Sequence, residues 1–205
     1  MNRSYNYVFL LGRPGSGKSA VFRSITDKLK AEGIADEFLR IDDFPKLLEL
    51  NAADTEHKRH KPMPDGGFLI LDDSLWDDVL KEVNKDALKL KDSGKMVFLE
   101  FARDSYEHAL KFFSKDVLSN ALLIYVDCPF DVCWQRNVER VKRQQEQGID
   151  AHLTSREEME KTYLNDDFKT LAKDISEPHI ILDNSTSDLE KLENNILSIM
   201  PKFKK

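Results

Sequence analysis

The feature that most constrains this chain is a glycine-rich stretch that follows directly on a short apolar run. Residues 7–11 read YVFLL, and residues 12–19 read GRPGSGKS. Apolar residues then recur at helical spacing, at Val21, Ile25 and Leu29. We therefore expect a buried strand, a glycine turn and an amphipathic helix in this order, which is the repeating unit of α/β proteins.

The turn matches the pattern Gly12-x-x-x-x-Gly17-Lys18-Ser19 of a phosphate-binding loop, or P-loop. Glycines let the backbone N–H groups point at phosphate oxygens, and the following helix adds its positive N-terminal end. In such loops the lysine reaches the β- and γ-phosphates and the serine hydroxyl binds Mg²⁺. We therefore expect ATP and Mg²⁺ as cofactors, with further loop contacts to the nucleotide from Pro14, Gly15, Ser16 and Ala20. The alternative, a chance glycine turn, leaves the flanking strand and helix unexplained.

Short apolar runs and helical patterns alternate along the rest of the chain. The runs lie at residues 7–11, 37–41, 96–101, 121–126 and 179–182. Such alternation predicts an α/β fold with a parallel five-stranded sheet and helices on both faces. No linker divides the sequence, so residues 1–205 are expected to form one domain.

Composition limits the partners that we expect. The chain has 205 residues and a net charge of −6, whereas nucleic-acid binding usually needs a basic field. No run approaches the ~20 apolar residues of a membrane span, and residues 12–14 interrupt the first apolar run too early for a signal peptide. Cys128 and Cys133 lack metal-ligand spacing, so we interpret them as reduced packing residues of a cytoplasmic protein. A monomer or a homodimer is expected.

Two adjacent acids close the second apolar run, in the sequence LRIDDF at residues 39–44. In an open parallel sheet the carboxyl ends of the strands border the ligand crevice, which places Asp42 or Asp43 near the γ-phosphate. A carboxylate there can orient an acceptor hydroxyl and take its proton. The alternative is a solvated acidic turn or a helix N-cap.

Together, these segments resemble the P-loop kinases that act on nucleosides, nucleotides and small metabolites. The DDF of residues 42–44 is similar to the DDY of polynucleotide kinases and to the single Asp of related antibiotic phosphotransferases. The resemblance implies that Asp42, the first acid, activates the acceptor. It also implies a three-layer P-loop sandwich with strand order 2-3-1-4-5, an acceptor lobe at residues 43–75, and transfer of a phosphoryl group from ATP to a small molecule.

The segment MVFLEFAR at residues 96–103 resembles the third core strand of these kinases. The resemblance gives Glu100 the Walker B role of holding Mg²⁺ through water, and it places Arg103 against phosphates. Asp127 also ends an apolar run, so the Walker B assignment stays open between Glu100 and Asp127.

Three arginines, Arg136, Arg140 and Arg143, lie at helical positions i, i+4 and i+7 and therefore share a helix face. The resemblance implies an arginine-bearing lid at residues 136–156, in which Arg136 or Arg140 closes over ATP and stabilises the transferring phosphoryl group. The alternative is a solvated basic face paired with neighbouring glutamates.

The adenine and acceptor contacts are less defined by the sequence. Asn184, after the last strand, could contact the base edge or cap the next helix. The basic residues 56–61 could receive an anionic acceptor or form a solvated cluster. Phe44, Phe68 and Trp76 could stack on a ring or simply pack. The sequence thus indicates a P-loop kinase, with three alternatives: a nucleotide kinase acting on a monophosphate, a polynucleotide 5′-end kinase and a non-enzymatic ATP-binding switch module.

Overall fold

The computed structural model describes residues 3–63, 68–147 and 156–204. Its strands are β1 (Tyr7–Leu11), β2 (Phe38–Asp42), β3 (His60–Pro62), β4 (Phe68–Ile70), β5 (Met96–Phe101), β6 (Ala121–Asp127) and β7 (His179–Asp183). Its α-helices are α1 (Lys18–Ala31), α2 (Asp43–Ala53), α3 (Ser74–Lys89), α4 (Tyr106–Leu110), α5 (Lys115–Leu118), α6 (Phe130–Glu146), α7 (Arg156–Tyr163), α8 (Phe168–Leu171) and α9 (Leu189–Ile199). A 3₁₀ turn at Met200–Phe203 follows α9.

Five strands form a parallel sheet in the order β2-β5-β1-β6-β7. The expected order, 2-3-1-4-5, counted five strands only. The strands β3 and β4 intervene in the chain and form a separate antiparallel hairpin, so the numbering of the sheet order differs from the one expected. Three-residue strands are too short for an alternating pattern to be recognised in the sequence.

The core lies on both faces of the sheet, which is why β1 reads as a continuous apolar run. Tyr7, Phe9 and Leu11 face one side, where they belong to a cluster that includes residues of α3, α4 and α5. Val8 and Leu10 face the other side, in a cluster with residues of α1 and α9. Since side chains alternate along a strand, burial on both sides requires helices on both faces, as expected.

The carboxyl ends of the five strands lie at one edge of the sheet. Asp42, the last residue of β2, is in register with Glu100 of β5, and Glu100 is in register with Leu10 of β1. The P-loop follows Leu11, so the sheet places the two acids beside the loop.

Four other expectations concern the cysteines, membrane spans, the lid and the acceptor segment. Both cysteines are free thiols, and both are buried. None of the described helices is long and apolar enough to cross a membrane. Of the expected lid, residues 148–155 lie outside the described residues. The expected acceptor segment contains α2 and the β3–β4 hairpin.

Candidate active site

The P-loop backbone lies close to other backbone, which explains its glycines. Gly15 has a φ of +81°, and a Cβ there would lie 2.2 Å from the carbonyl oxygen of Cys133 in α6. Gly17 has a φ of +99°, and its Cβ would lie 2.3 Å from Nδ2 of Asn184. The loop is therefore packed against α6 on one side and against the turn after β7 on the other.

Replacement of Gly15 by alanine is expected to lower the free energy of unfolding by at least about 2 kcal/mol, because the methyl group meets backbone that cannot rotate away. Gly33→Ala is a matched control, since Gly33 also has a positive φ, of +64°, but nothing lies within 4 Å of its Cβ position. The control should cost about 1 kcal/mol from backbone conformation alone. Denaturant unfolding of both variants measures the difference, and equal losses would contradict the role assigned to the contact with α6.

Three side chains hold the loop in place. The N–H of Gly12 donates to the hydroxyl of Tyr106 at 2.9 Å. Asn184 Nδ2 donates to the carbonyl of Ser16 at 2.7 Å, so its amide is bound to the loop, and a contact with a nucleotide base stays a prediction. Lys18 Nζ donates to the carbonyls of Gly12 and Arg13, at 2.8 and 3.0 Å. Tyr106 lies nearly a hundred residues from the loop, and no sequence pattern pointed to it.

Arg13 ties the loop to the segment between α7 and α8. Its Nε donates to the carbonyl of Tyr163 at 2.6 Å, and its Nη2 forms an ion pair with Asp166 at 2.7 Å. The side chain of Asp166 is buried, and it also accepts hydrogen bonds from the hydroxyl of Tyr125 at 2.8 Å and from the N–H of Phe168 at 3.4 Å. Burial raises the pKa of Asp166, and Arg13 opposes that rise. The loop therefore contacts the end of α7 directly through one of its own side chains.

Three oxygen atoms converge on a single nitrogen of Arg40. Its Nη2 lies 3.2 Å from Ser19 Oγ, 3.0 Å from Asp42 Oδ2 and 2.8 Å from Glu100 Oε2. The contact with Glu100 is an ion pair without hydrogen-bond geometry. Burial raises the pKa of the Glu100 carboxyl, while Lys18 and Arg40 lower it. The sequence analysis did not single out Arg40.

The three oxygens around Arg40 Nη2 show whether the residues of this site suit a Mg²⁺ ion. Mg²⁺ takes oxygen ligands, and it usually keeps waters and shares phosphate oxygens instead of sitting in an all-protein cage. The oxygens of Ser19, Asp42 and Glu100 already surround one cationic nitrogen, so they fit a hard divalent cation. No group of three or more His, Cys, Asp or Glu side chains within the described residues could hold a metal by itself, which agrees with shared ligands.

The two candidate Walker B acids have different surroundings. Glu100 lines the cavity beside the P-loop. Asp127 does not line it, and its carboxylate instead forms an ion pair with Lys169 at 2.8 Å. The geometry therefore favours Glu100 for the metal role.

The two adjacent acids after β2 are also distinct. Asp42 Oδ1 accepts a hydrogen bond from the N–H of Phe44 at 3.0 Å, so it caps α2, while its Oδ2 faces Arg40. The helix-cap interpretation therefore holds for Asp42, and its role as the base stays a prediction. Asp43 is paired with Arg103 Nη1 at 2.6 Å. Burial raises the pKa of Asp43, and Arg103 opposes the rise.

Arg103 lies on the acceptor side of the site. Besides Asp43, its Nη1 donates to the carbonyl of Ala102 at 2.6 Å. Its guanidinium carbon lies 4.9 Å from the ring centroid of Trp76. Its Nε and Nη2 atoms are buried and have no hydrogen-bond partner within the described part of the chain. The expected contact of Arg103 with phosphates stays a prediction, and the present arrangement engages it with Asp43.

The arginine face of α6 points into the cavity, where Arg136, Arg140 and Arg143 all contribute to the lining. Arg136 Nη1 donates to the carbonyl of Asn184 at 3.2 Å, and its Nη2 donates to the carbonyl of Thr186. Arg140 donates to the side chain of Asn137, and burial lowers the pKa of Arg140 while Asp42 raises it. The face is therefore turned toward the P-loop and the acids.

One cavity of about 1080 Å³ joins the P-loop, the α6 face and residues 42–76. The basic residues 56–61 do not line it. Arg59 pairs with Asp72 and Asp78, and His60 with Asp54, within the same segment of the chain.

No protein-family model matches the chain, and no curated protein matches it in sequence. Its structure is similar to that of a sugar kinase from Janibacter sp. HTCC2649, with a TM-score of 0.56 at 15% identity over 98% of this chain and 99% of that one. It is also similar to the APS kinase of Mycobacterium tuberculosis in complex with AMPPNP and APS, with a TM-score of 0.56 at 17% identity over 98% of each chain. At these identities the likeness establishes the fold, and the chain has the α/β fold of the P-loop small-molecule kinases.

Proposed function

We propose that the protein is a kinase that transfers the γ-phosphoryl group of ATP to a hydroxyl of a small molecule. The observation that carries the proposal is the position of Asp42, which lines the same cavity as the P-loop and shares Arg40 with Ser19 and Glu100. A P-loop alone binds nucleotide, but a carboxylate beside it can also activate a second substrate.

Each residue has a role that follows from its surroundings. The loop amides and Lys18 bind the phosphates, and Ser19 and Glu100 hold Mg²⁺, which neutralises phosphate charge when bound. Asp42 takes the proton of the acceptor hydroxyl. The oxygen of that hydroxyl bonds to the γ-phosphorus of ATP, and the bond between the γ-phosphorus and the departing oxygen of ADP breaks. Arg136 and Arg140 stabilise the charge on the transferring group. Arg103 holds Asp43, the neighbour of the base.

The proposed partners are ATP and a small-molecule acceptor. We propose a cytoplasmic monomer or homodimer, and the net charge of −6 makes a nucleic-acid acceptor the weaker alternative. An ATP-binding switch would need neither Asp42 in the site nor an arginine face turned toward it.

The test is ADP release from Mg²⁺-ATP in the presence of pooled nucleosides, nucleotides, sugar alcohols, vitamins and oligonucleotide ends. The Lys18→Ala variant serves as the blank. A pool that stimulates ADP release in the wild type alone supports a kinase, and dividing the pool identifies the acceptor. Tight ATP binding with no stimulation by any pool would instead favour the switch module.

The substitution Arg40→Gln is expected to lower the Mg²⁺ concentration needed for half-maximal stabilisation by about tenfold, or about 1.4 kcal/mol. The reason is that the guanidinium of Arg40 contacts the oxygens of Ser19 and Glu100, which the proposed Mg²⁺ would take. Without Mg²⁺ the variant should unfold at a lower temperature than the wild type, because Asp42 and Glu100 lose their shared positive charge.

Thermal unfolding over a Mg²⁺ series measures both effects without relying on turnover. Arg156→Gln is a suitable control, since Arg156 is exposed and pairs with Asp131 and Glu160 on the surface. A higher Mg²⁺ requirement in Arg40→Gln would show that Arg40 assists cation binding and does not compete with it.

A further inference from the structure

The cations that line the cavity lie mainly on one side of it, although Glu100 and Glu157 also line it and Arg103 lies beside Trp76. Six cationic side chains come from the P-loop, α1, α6 and α7, and they are Lys18, Arg23, Arg136, Arg140, Arg143 and Lys161. Residues 42–76 contribute a different surface, which we call the acceptor wall. Its apolar members are Phe44, Leu47, Phe68, Leu69, Ile70 and Trp76, and its polar members are Asp42, Asp43 and Asp73.

The acceptor wall contains no lysine or arginine among the described residues 42–63 and 68–76. Of the cations in that segment, Lys46 pairs with Glu49 and Asp86, Arg59 pairs with Asp72 and Asp78, Lys58 pairs with Glu56, and Lys61 is exposed and does not line the cavity. An anionic group placed against this wall would therefore meet Asp73 and the ion-paired Asp42 and Asp43, but no unpaired cation of the wall, which is electrostatically unfavourable.

Arg103 does not supply the missing positive charge. One of its nitrogens is bonded to Asp43 and to the carbonyl of Ala102. The other two are buried, and Trp76 lies against the guanidinium. The positive charge of Arg103 therefore offsets the negative charge of Asp43, and Arg103 adds no unpaired cation to the wall.

The wall exposes large apolar side chains to the cavity. Phe44 is 46% exposed and Leu69 is 52% exposed, although both line the cavity. The rings of Phe44 and Phe68 are inclined by only 24°, with centroids 6.5 Å apart. Large apolar side chains left open to water inside a cavity are typical of a ligand-binding surface, and near-parallel rings suit a flat ligand.

We infer that the phosphoryl acceptor is a hydroxyl compound with a flat apolar body and no negative charge. This inference rests on the proposed kinase function and narrows it. An uncharged acceptor buries its body against Phe44 and its neighbours, and a positively charged acceptor gains in addition from Asp73 at the exposed part of the wall. Nucleoside monophosphates, sugar phosphates and oligonucleotide ends fall outside the class.

The experiment compares hydroxyl compounds in matched pairs, of which one member carries an anionic group and the other does not. Suitable pairs keep a flat ring and the same hydroxyl in both members, as in uridine with orotidine and 4-(hydroxymethyl)benzamide with 4-(hydroxymethyl)benzoic acid. We expect kcat/KM, measured by ADP release, to favour the non-anionic member of a productive pair by at least about 100-fold. A preference for the anionic member would overturn the inference while leaving the kinase function intact.

Two variants test whether the wall itself sets this preference. Phe44→Ala should raise KM for the acceptor by about tenfold with unchanged affinity for Mg²⁺-ATP. Leu48→Ala is the matched control, since Leu48 lies one turn along α2 and is 45% exposed but does not line the cavity. Asp73→Lys should reduce the preference against anionic acceptors by adding a positive charge. An unchanged preference in Asp73→Lys together with an unchanged KM in Phe44→Ala would contradict the inference.

A binding measurement separates failure of the inference from failure of the proposed function. In a Trp134→Phe background, Trp76 is the single tryptophan, and its fluorescence reports ligands at the acceptor wall. Quenching by non-anionic members alone supports the inference even where no phosphoryl transfer is detected, in which case the kinase function is what fails. Quenching by the anionic members at equal or lower concentration, or by no compound at all, would overturn the inference.

Discussion

Replacement of Lys18 by alanine is expected to lower kcat/KM for phosphoryl transfer by about 10³-fold. Lys18 is the cation that the P-loop pattern directs at the β- and γ-phosphates, and residues 12–19 contain no other lysine to replace it. The loss should fall mainly on kcat, because the charge of the transferring group grows in the transition state.

The measurement is steady-state ADP release with the acceptor that the pooled assay identifies. Lys30→Ala is the control, since Lys30 is exposed on the same helix, α1. In the absence of ligand, Lys18 donates only to two carbonyls of its own loop, so the free energy of unfolding should change by about 1 kcal/mol. A large fall in melting temperature would show instead that Lys18 has a structural role.

The substitution Asp42→Asn is expected to reduce turnover by about 10²-fold or more, because the amide cannot take the proton of the acceptor hydroxyl. The asparagine oxygen can still accept the hydrogen bond from the N–H of Phe44, so the cap of α2 and the fold should be retained. Turnover and thermal unfolding, measured on the same preparation, separate the two effects.

Asp43→Asn is the companion variant, and it should behave in the opposite way. It removes the anionic partner of Arg103, which is buried, and should cost about 3 kcal/mol of stability. If Asp42→Asn stays active and Asp43→Asn is inactive but stable, Asp43 is the base. A mild effect of Asp42→Asn alone would favour a nucleotide kinase, whose phosphate acceptor needs no carboxylate base.

Much of the fold could be predicted from the sequence because its strands are buried on both faces. Residues 7–11 and 96–101 read as continuous apolar runs, and the structure has β1 and β5 at those residues. The hairpin of β3 and β4 could not be predicted, because strands of three residues lack a recognisable period. The second strand ends one residue later than expected, at Asp42, so this acid belongs to the strand and also caps α2.

The candidate site, like the fold, could be predicted only in part from the sequence. Residues 12–19 could be recognised as a P-loop from the sequence because the motif is short and continuous, and each residue type in it has a chemical function. Arg40, Tyr106 and Asp166 could not be recognised from the sequence, because their contacts with the loop depend on strand register and on the packing of distant segments. The sequence could place Arg103 near the site, but only the structure shows that it pairs with Asp43.

The acceptor wall has a consequence for how such a protein can diversify. Its members come from one continuous stretch, residues 42–76, whereas the phosphate-binding side comes from the P-loop, α1, α6 and α7. The β3–β4 hairpin within this stretch pairs with itself and adds no strand to the central sheet. Exchange of residues 44–76 would therefore change the proposed acceptor surface while leaving the proposed base Asp42 and the proposed phosphate-binding side in place, which makes this segment a natural unit of evolutionary recombination and a practical one for engineering.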